Sequence, residues 1–380
     1  MNGARFDDFT AGRALVFGSP RHVLTAERAA DVPGVLREVE AATAAGGWAF
    51  GYVGYEAAPG FDPALVTALP TGAEPPVACF GIGDAPSPAA PIAAAGAGWR
   101  AAWTPGWSAA EHAAAVGRAR EHIAAGDVYQ VNVTDRLRAN DVGDPLELYA
   151  ALAGAQQGAH HAYLDVGRFA VASASPELFF EWVGEDIRTR PMKGTIGRGR
   201  NHDEDIGYGQ RLQTSVKDQA ENLMIVDLLR NDLGRIAACG SVRVTELFRL
   251  ERYPTLWQLT SEISARLRTG CGLAEIFAAL FPCGSITGAP KARSMQIIRE
   301  LESGPRGVYC GAIGVVAPPS AGFRARFSVA IRTVVVDRAT ATAVYGAGGG
   351  ITWDSEAGAE HAELLSKAAV LSAAQQTGPR

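Results

Sequence analysis

The sequence predicts an α+β fold of largely antiparallel sheets. Helical and strand-like segments are interleaved, yet the strands come in neighbouring runs, which favours antiparallel pairing over a doubly wound sheet. The chain has 380 residues, 47% hydrophobic and 20% charged, enough to bury a large core in two or three domains or one composite domain. No internal repeat at a period of about 20–50 residues is present, which excludes solenoids and propellers.

The elements follow in order. Ala14-Leu-Val-Phe17 reads as a strand and the amphipathic stretch near 26–44 as a helix. Gly46 to Glu56 alternates aromatic residues with glycine, as in a strand closely approached by another backbone. Residues 83–107 are rich in Ala, Pro and Gly without a period and read as a connection. Ser108-Ala-Ala-Glu111 has capping-box spacing, predicting a helix to Ala125 that Gly126 stops. Asp127 to Thr134 alternates and is β-branched, so it is a strand. Phe169–Ser175 and Ile187–Lys193 read as further strands, and 215–229 as a helix capped by Ser215. An apolar helix over 273–280, a turn-rich stretch over 282–290 and a helix over 291–302 follow. Strands over 308–316, 326–336 and 341–346 and a helix from about Ala357 close the chain.

Composition excludes several function classes. A net charge of −5 is the wrong sign for a surface devoted to nucleic acid. The five cysteines are odd in number and include no Cys-x-x-Cys pair, arguing against a disulfide framework and a thiolate zinc site. The start, Met1-Asn-Gly-Ala-Arg, lacks an apolar signal core, and no run reaches the ~18 apolar residues of a membrane helix. A cytoplasmic protein without nucleic-acid or membrane partners is expected. Tyr345-Gly-Ala-Gly-Gly-Gly350 lacks the dinucleotide-loop spacing, His160-His161 do not share a face, and no Gly-x-Ser-x-Gly elbow occurs.

Asp218 and Glu221 stand three apart on one predicted helix, and Glu360 and Glu363 three apart on another. Each pair is either a solvated helix face or half of an oxygen-ligand site for Mg²⁺, with two direct and two water-mediated carboxylates. Spacing does not decide between them. Lys193, in Arg190-Pro-Met-Lys-Gly-Thr195, is either a surface lysine or a strand-end nucleophile whose charge burial suppresses.

Taken together, the motifs resemble the chorismate-utilising enzymes. They are Ala125-Gly-Asp-Val-Tyr-Gln-Val-Asn132, Ser175-Pro-Glu177, Arg190–Thr195, Lys217–Arg235, Gly284-Ser-Ile-Thr-Gly-Ala-Pro-Lys291, Ala347-Gly-Gly-Gly-Ile351 and Ala359-Glu-His-Ala-Glu-Leu364. The resemblance runs from about residue 110 to 372. It is strongest to the p-aminobenzoate branch, which Gly51-Tyr-Val-Gly-Tyr-Glu-Ala-Ala-Pro59 also resembles more loosely. It implies one large two-layered sandwich with outer helices, in which residues 1–107 complete the sheets of a catalytic region over 108–380. It implies Mg²⁺ held directly by Glu221 and Glu363 and through water by Asp218 and Glu360. Anthranilate synthases usually have Ala where Lys193 stands, and isochorismate and salicylate synthases have Lys where Gln130 stands. The combination found here matches amine transfer to C4 of chorismate. The implied mechanism has Lys193 attack C2, Glu177 protonate the hydroxyl that departs from C4, and ammonia attack C4 as Lys193 leaves C2. Substrate contacts are implied for Gln130, Gly194, Thr195, Ser285, Tyr309, Arg332, Gly348, Gly350 and Lys367. Two departures stand out: Gln258 where many relatives have His, and Cys283 where Gly is common. The sequence carries no glutamine amidotransferase elbow, so ammonia is expected from solution or from a separate glutaminase subunit. Synthesis of anthranilate or 2-amino-2-deoxyisochorismate, and a non-catalytic chorismate-binding role, are the rival readings.

Overall fold

The computed structural model describes residues 1–70, 74–93, 101–253 and 256–376. Part of the expected connection, residues 94–100, lies outside the described residues, as do the last four residues. The chain begins with β1 (Gly3–Asp8), β2 (Arg13–Phe17), β3 (His22–Ala26), α1 (Val32–Ala44), β4 (Trp48–Val53), β5 (Ala78–Gly83) and β6 (Ser87–Ala89). It continues with α2 (Ala109–Ala124), β7 (Gln130–Asn140), α3 (Pro145–Gln156), β8 (His160–Val166), β9 (Phe169–Ser175), β10 (Leu178–Val183), β11 (Asp186–Arg190) and β12 (Met192–Gly197). Next come α4 (His202–Thr214), α5 (Val216–Gly234), β13 (Arg243–Arg252), β14 (Leu256–Arg266), α6 (Leu273–Leu280), β15 (Gly288–Ala289) and α7 (Lys291–Leu301). The last elements are β16 (Ala312–Val316), β17 (Ala325–Val329), β18 (Thr333–Asp337), β19 (Thr342–Ile351) and α8 (Ala357–Gln376).

Two sheets form, with every described strand pairing antiparallel. One has nine strands in the order β15-β7-β19-β18-β9-β8-β1-β2-β6. The other has ten, in the order β12-β14-β11-β10-β17-β16-β4-β5-β3, with β13 beside β14. Strands from the first 107 residues therefore enter both sheets, β1 against β8 and β4 against β16.

Packing explains the layers. Phe17, Phe50, Tyr52, Leu164, Val171 and Ile313 form a core fed by both sheets. The outer face of the ten-stranded sheet is covered by α1, α5 and α6, where Phe277 meets Phe327 edge-on at 5.1 Å. The outer face of the nine-stranded sheet is covered by α3 and α8. This is the α+β sandwich with outer helices that the sequence predicts.

Local chemistry sets several boundaries. Ser108 and Glu111 form the expected reciprocal capping box, and Gly126 ends the helix at φ +79°. Ser215 caps α5 by accepting the Asp218 N–H. Gly51 lies so close to β5 that a Cβ there would sit 2.0 Å from the Cys79 carbonyl oxygen. The expected connection over 83–107 includes strand β6. The single strand expected over 187–193 is two strands divided at Pro191, which has no N–H for a ladder.

A charged network ties distant segments together. Glu302 and Arg306 form a buried ion pair, and Arg136 adds a second guanidinium at 3.1 Å from Glu302. Arg306 also donates to the carbonyls of Ile286 and Asn132 at 2.8 and 3.0 Å. Glu56 accepts the N–H groups of Arg306 and Gly307, both at 2.8 Å.

Candidate active site

The site forms where one end of each sheet faces the other. From the nine-stranded sheet come the start of β7 and the glycine run of β19, in register as Gly348↔Thr134, Gly349↔Val133 and Gly350↔Asn132. From the ten-stranded sheet come β12 and β14, paired through Thr195↔Gln258. The β12 register shifts between Met192 and Thr195, and Gly194 sits at φ +83°. A bulge re-aims a side chain. Here it spans Lys193.

The glycines make room. A Cβ at Gly350 would lie 2.0 Å from Gln130 Nε2 and 3.1 Å from Lys193 Nζ, so these two side chains meet across that strand. Gln130 is 1% exposed, and neither of its amide atoms has a hydrogen-bond partner. A Cβ at Gly348 would overlap the Val133 carbonyl oxygen at 2.2 Å. Gly194 packs on Asp218, and its carbonyl accepts Gln258 Nε2 at 2.7 Å while Thr195 Oγ1 donates to Gln258 Oε1 at 2.9 Å. Gln258, whose role the sequence leaves open, thus clamps the segment after Lys193.

Glu177 is 2% exposed at the β9–β10 turn and accepts Ser285 Oγ at 2.6 Å. Desolvation raises its pKa to about 7, against the opposing pull of Ser285 and Lys193. Burial lowers the pKa of Lys193, and Lys367 adds to this, while Glu221, Glu177 and Glu363 act the other way. The lysine is therefore biased toward its neutral amine.

The acidic pairs do converge electrostatically. Glu221 is raised by burial, countered by Lys193 and Lys217, and repelled by Asp218 and Glu363. Burial also works to raise Glu363, but Lys367, at 2.7 Å, brings it below its ordinary value. Glu360 is raised by burial, although it accepts Ser355 Oγ at 2.7 Å. Gly349 would place a Cβ 3.2 Å from Glu360 Oε2 and 3.7 Å from Glu363 Oε1. Among the described residues no group of three or more His, Cys, Asp or Glu side chains is arranged to hold a metal ion. The donors are hard oxygens whose mutual repulsion is offset by lysines. That chemistry fits a dication taking one or two carboxylates and completing its shell with water.

Lys367 also donates to the Gly348 carbonyl at 2.7 Å. Tyr309 is buried beside Gly346, where a Cβ would meet its ring at 2.3 Å. Arg332 sits at φ +51°, its pKa lowered by burial, and donates to Gln156 Oε1 at 2.5 Å. It lines a pocket with Gln156, His161, Pro176 and Gln258, next to Glu177. Sequence reasoning missed Gln156 and His161. Burial lowers the His161 pKa to about 3, and its Nε2 accepts the Gly158 N–H. No local pattern turns His161 inward, because the apolar alternation of Ala162, Leu164 and Val166 places it on the opposite face of β8.

A family profile described as chorismate binding enzyme matches residues 9–373. Aminodeoxychorismate synthase component 1 of Klebsiella aerogenes is 42% identical over 271 residues, covering 70% of this chain and 58% of that protein. Anthranilate synthase component 1 of Aquifex aeolicus is 38% identical over 276 residues, covering 71% of this chain and 53% of that protein. The chain thus spans less than two thirds of the length of these relatives. Anthranilate synthase component I of Streptococcus pneumoniae has the same fold, with a TM-score of 0.81 at 24% identity over 97% of this chain and 92% of that one.

Proposed function

This chain belongs to the chorismate binding enzymes, and from that premise we propose that it converts chorismate and ammonia to 4-amino-4-deoxychorismate. The observation that carries the reading is Lys193, desolvated and bulged out of its ladder toward Gln130 and Gly350. Its neutral amine attacks C2 of chorismate, the ring double bond shifts, and the C4 hydroxyl leaves with a proton from Glu177. Ammonia then adds at C4, the double bond shifts back, and the Lys193 amine departs. Covalent catalysis divides one difficult displacement into two easier ones.

Glu221 and Glu363 would hold Mg²⁺ directly, with Asp218 and Glu360 acting through water; the bound ion supplies charge neutralisation and orientation for the ring carboxylate. Arg332 suits the remaining carboxylate through its planar fork. Gln130, Gly194, Thr195, Ser285, Tyr309, Gly348, Gly350 and Lys367 complete the substrate contacts. Residues 108–380 carry every one of these groups, and residues 1–107 complete the sheets. A relative named component 1 points to a second component, for which a glutamine amidotransferase delivering ammonia is the partner we infer. The setting of the reaction is cytoplasmic on this reading; among the described residues no helix is long and apolar enough to cross a membrane.

The test is product identification by mass spectrometry and NMR after incubation with chorismate, Mg²⁺ and ammonium. 4-Amino-4-deoxychorismate is expected, and anthranilate or isochorismate as the main product would refute the reading. Glutamine should replace ammonium only when the second component is added.

The pH profile gives a separate expectation. Because the Glu177 midpoint is raised to about 7, its acid form is present below that pH and lost above it. Turnover per encounter with chorismate, kcat/KM, should therefore decline as pH rises through about 7. Glu177→Gln should lower turnover by about 10²–10⁴-fold and erase that limb. A Gln variant that kept both rate and profile would remove Glu177 from the proton transfer.

A further inference from the structure

Behind Glu177 lies a short chain of hydrogen bonds in which one member has no role so far. Cys283 is 4% exposed, and its Sγ lies 3.2 Å from Ser285 Oγ and 4.0 Å from Glu177 Oε1. Ser285 Oγ has one proton, and that proton is committed to Glu177 Oε1 at 2.6 Å. The contact between sulfur and Oγ therefore has one available direction, with the thiol donating and the hydroxyl oxygen accepting. The thiol stays protonated, since burial pushes its pKa up to about 12.

We propose that Cys283 is a positioning residue for Glu177: its S–H fixes the Ser285 hydroxyl toward Oε1, which leaves Oε2 as the oxygen that carries the acid's proton. The inference rests on the reading of Glu177 as the acid. If the carboxyl proton sat on Oε1 instead, Ser285 would have to reverse and donate to sulfur. Sulfur is a weak acceptor. The reversed chain is the poorer one, so the proton is kept off the wall of the site. Aligned donors also polarise one another, so the thiol strengthens the bond from Ser285 to the ionised carboxylate.

The other groups facing Glu177 are Lys193 and the Met192 N–H of β12. An isosteric apolar residue at 283 would fill the space without donating. Burial alone would account for a small apolar side chain at 283 but not for the contact with Ser285.

The test follows the Glu177 carboxyl directly, by NMR titration of the free enzyme labelled in its glutamate side chains. The signal is assigned by its loss in Glu177→Gln. Cys283→Ala should move the Glu177 midpoint upward from about 7, and Cys283→Ser, which keeps a donor, should hold it near the wild-type position. On a Ser285→Ala background, Cys283→Ala should add no further movement. If Cys283→Ala does not fold, Cys283→Val takes its place with the same expectation. A midpoint unmoved by loss of the thiol, or an equal movement with and without the Ser285 hydroxyl, would overturn the proposal. The titration needs no substrate, so an unexpected product from chorismate would fail the proposed reaction and leave this result standing.

Discussion

Lys193→Ala should abolish formation of the 4-amino product, by roughly 10³-fold or more, the scale on which loss of a covalent nucleophile acts. The fold should persist, because Lys193 lies in a bulge and no backbone pairing depends on its side chain. The variant also opens space beside Gln130 and Gly350. Ammonia could then reach C2 directly, and a 2-amino product is expected in place of the 4-amino one. Lys193→Arg should be inactive, since a guanidinium stays protonated. Intact-protein mass spectrometry of the wild-type enzyme with chorismate and Mg²⁺, without ammonia, should reveal a covalent adduct absent from the Ala variant. An Ala variant making the 4-amino product at near the wild-type rate would exclude Lys193 as nucleophile.

Glu221→Ala and Glu363→Ala should each reduce turnover by about 10²–10⁴-fold, the equivalent of several kcal/mol of lost charge stabilisation. Asp218→Ala and Glu360→Ala should be milder. The electrostatics explain the asymmetry. Glu221 and Glu363 both act on Lys193, whereas Glu360 is engaged by the Ser355 hydroxyl. Calorimetric titration with Mg²⁺ provides the check. The first two variants should lose measurable binding, and the second two should bind more weakly. Undiminished Mg²⁺ binding in all four would remove these carboxylates from the metal site. Glu363→Ala also frees Lys367 from its ion pair, so Lys367→Met serves as a control for that loss.

Much of this arrangement is legible in the sequence where local signals agree with the final packing. The capping box at Ser108, the cap at Ser215 and the two acidic pairs all depend on residues within one helical turn. The β-hairpin of β13 and β14 goes unread because its register shifts twice, between Val244 and Glu246 and between Glu246 and Arg249, which breaks the two-residue period. Phe248, at φ +55°, marks the second shift. Helix α4 goes unread because His202-Asp-Glu-Asp-Ile-Gly-Tyr-Gly-Gln has no apolar stripe. The Asn201 cap and the Asp205–Arg198 ion pair define it instead. At the site, Lys193 and Glu177 can be picked out by their motifs. Their shifted protonation cannot, because it depends on burial between segments far apart in the chain. The Glu302–Arg306–Glu56 network misleads local pattern: Glu302 and Arg306 stand four apart, but both lie past the end of α7, and Glu56 joins them from 250 positions away.

That network and the sheet order have a consequence for how the protein is made. Strand β4 finds its place between β5 and β16, and Glu56 meets the Arg306 N–H across 250 positions of sequence. At a synthesis rate of about 5–20 residues per second, the early strands wait tens of seconds for their neighbours to leave the ribosome. During that interval Phe50 and Tyr52, both fully covered in the finished protein, lie on a strand with one flank still lacking its partner. A nascent chain of this design holds an aromatic strand edge open until its last third appears, and an unpaired edge of that kind is what makes a partly made chain prone to aggregate.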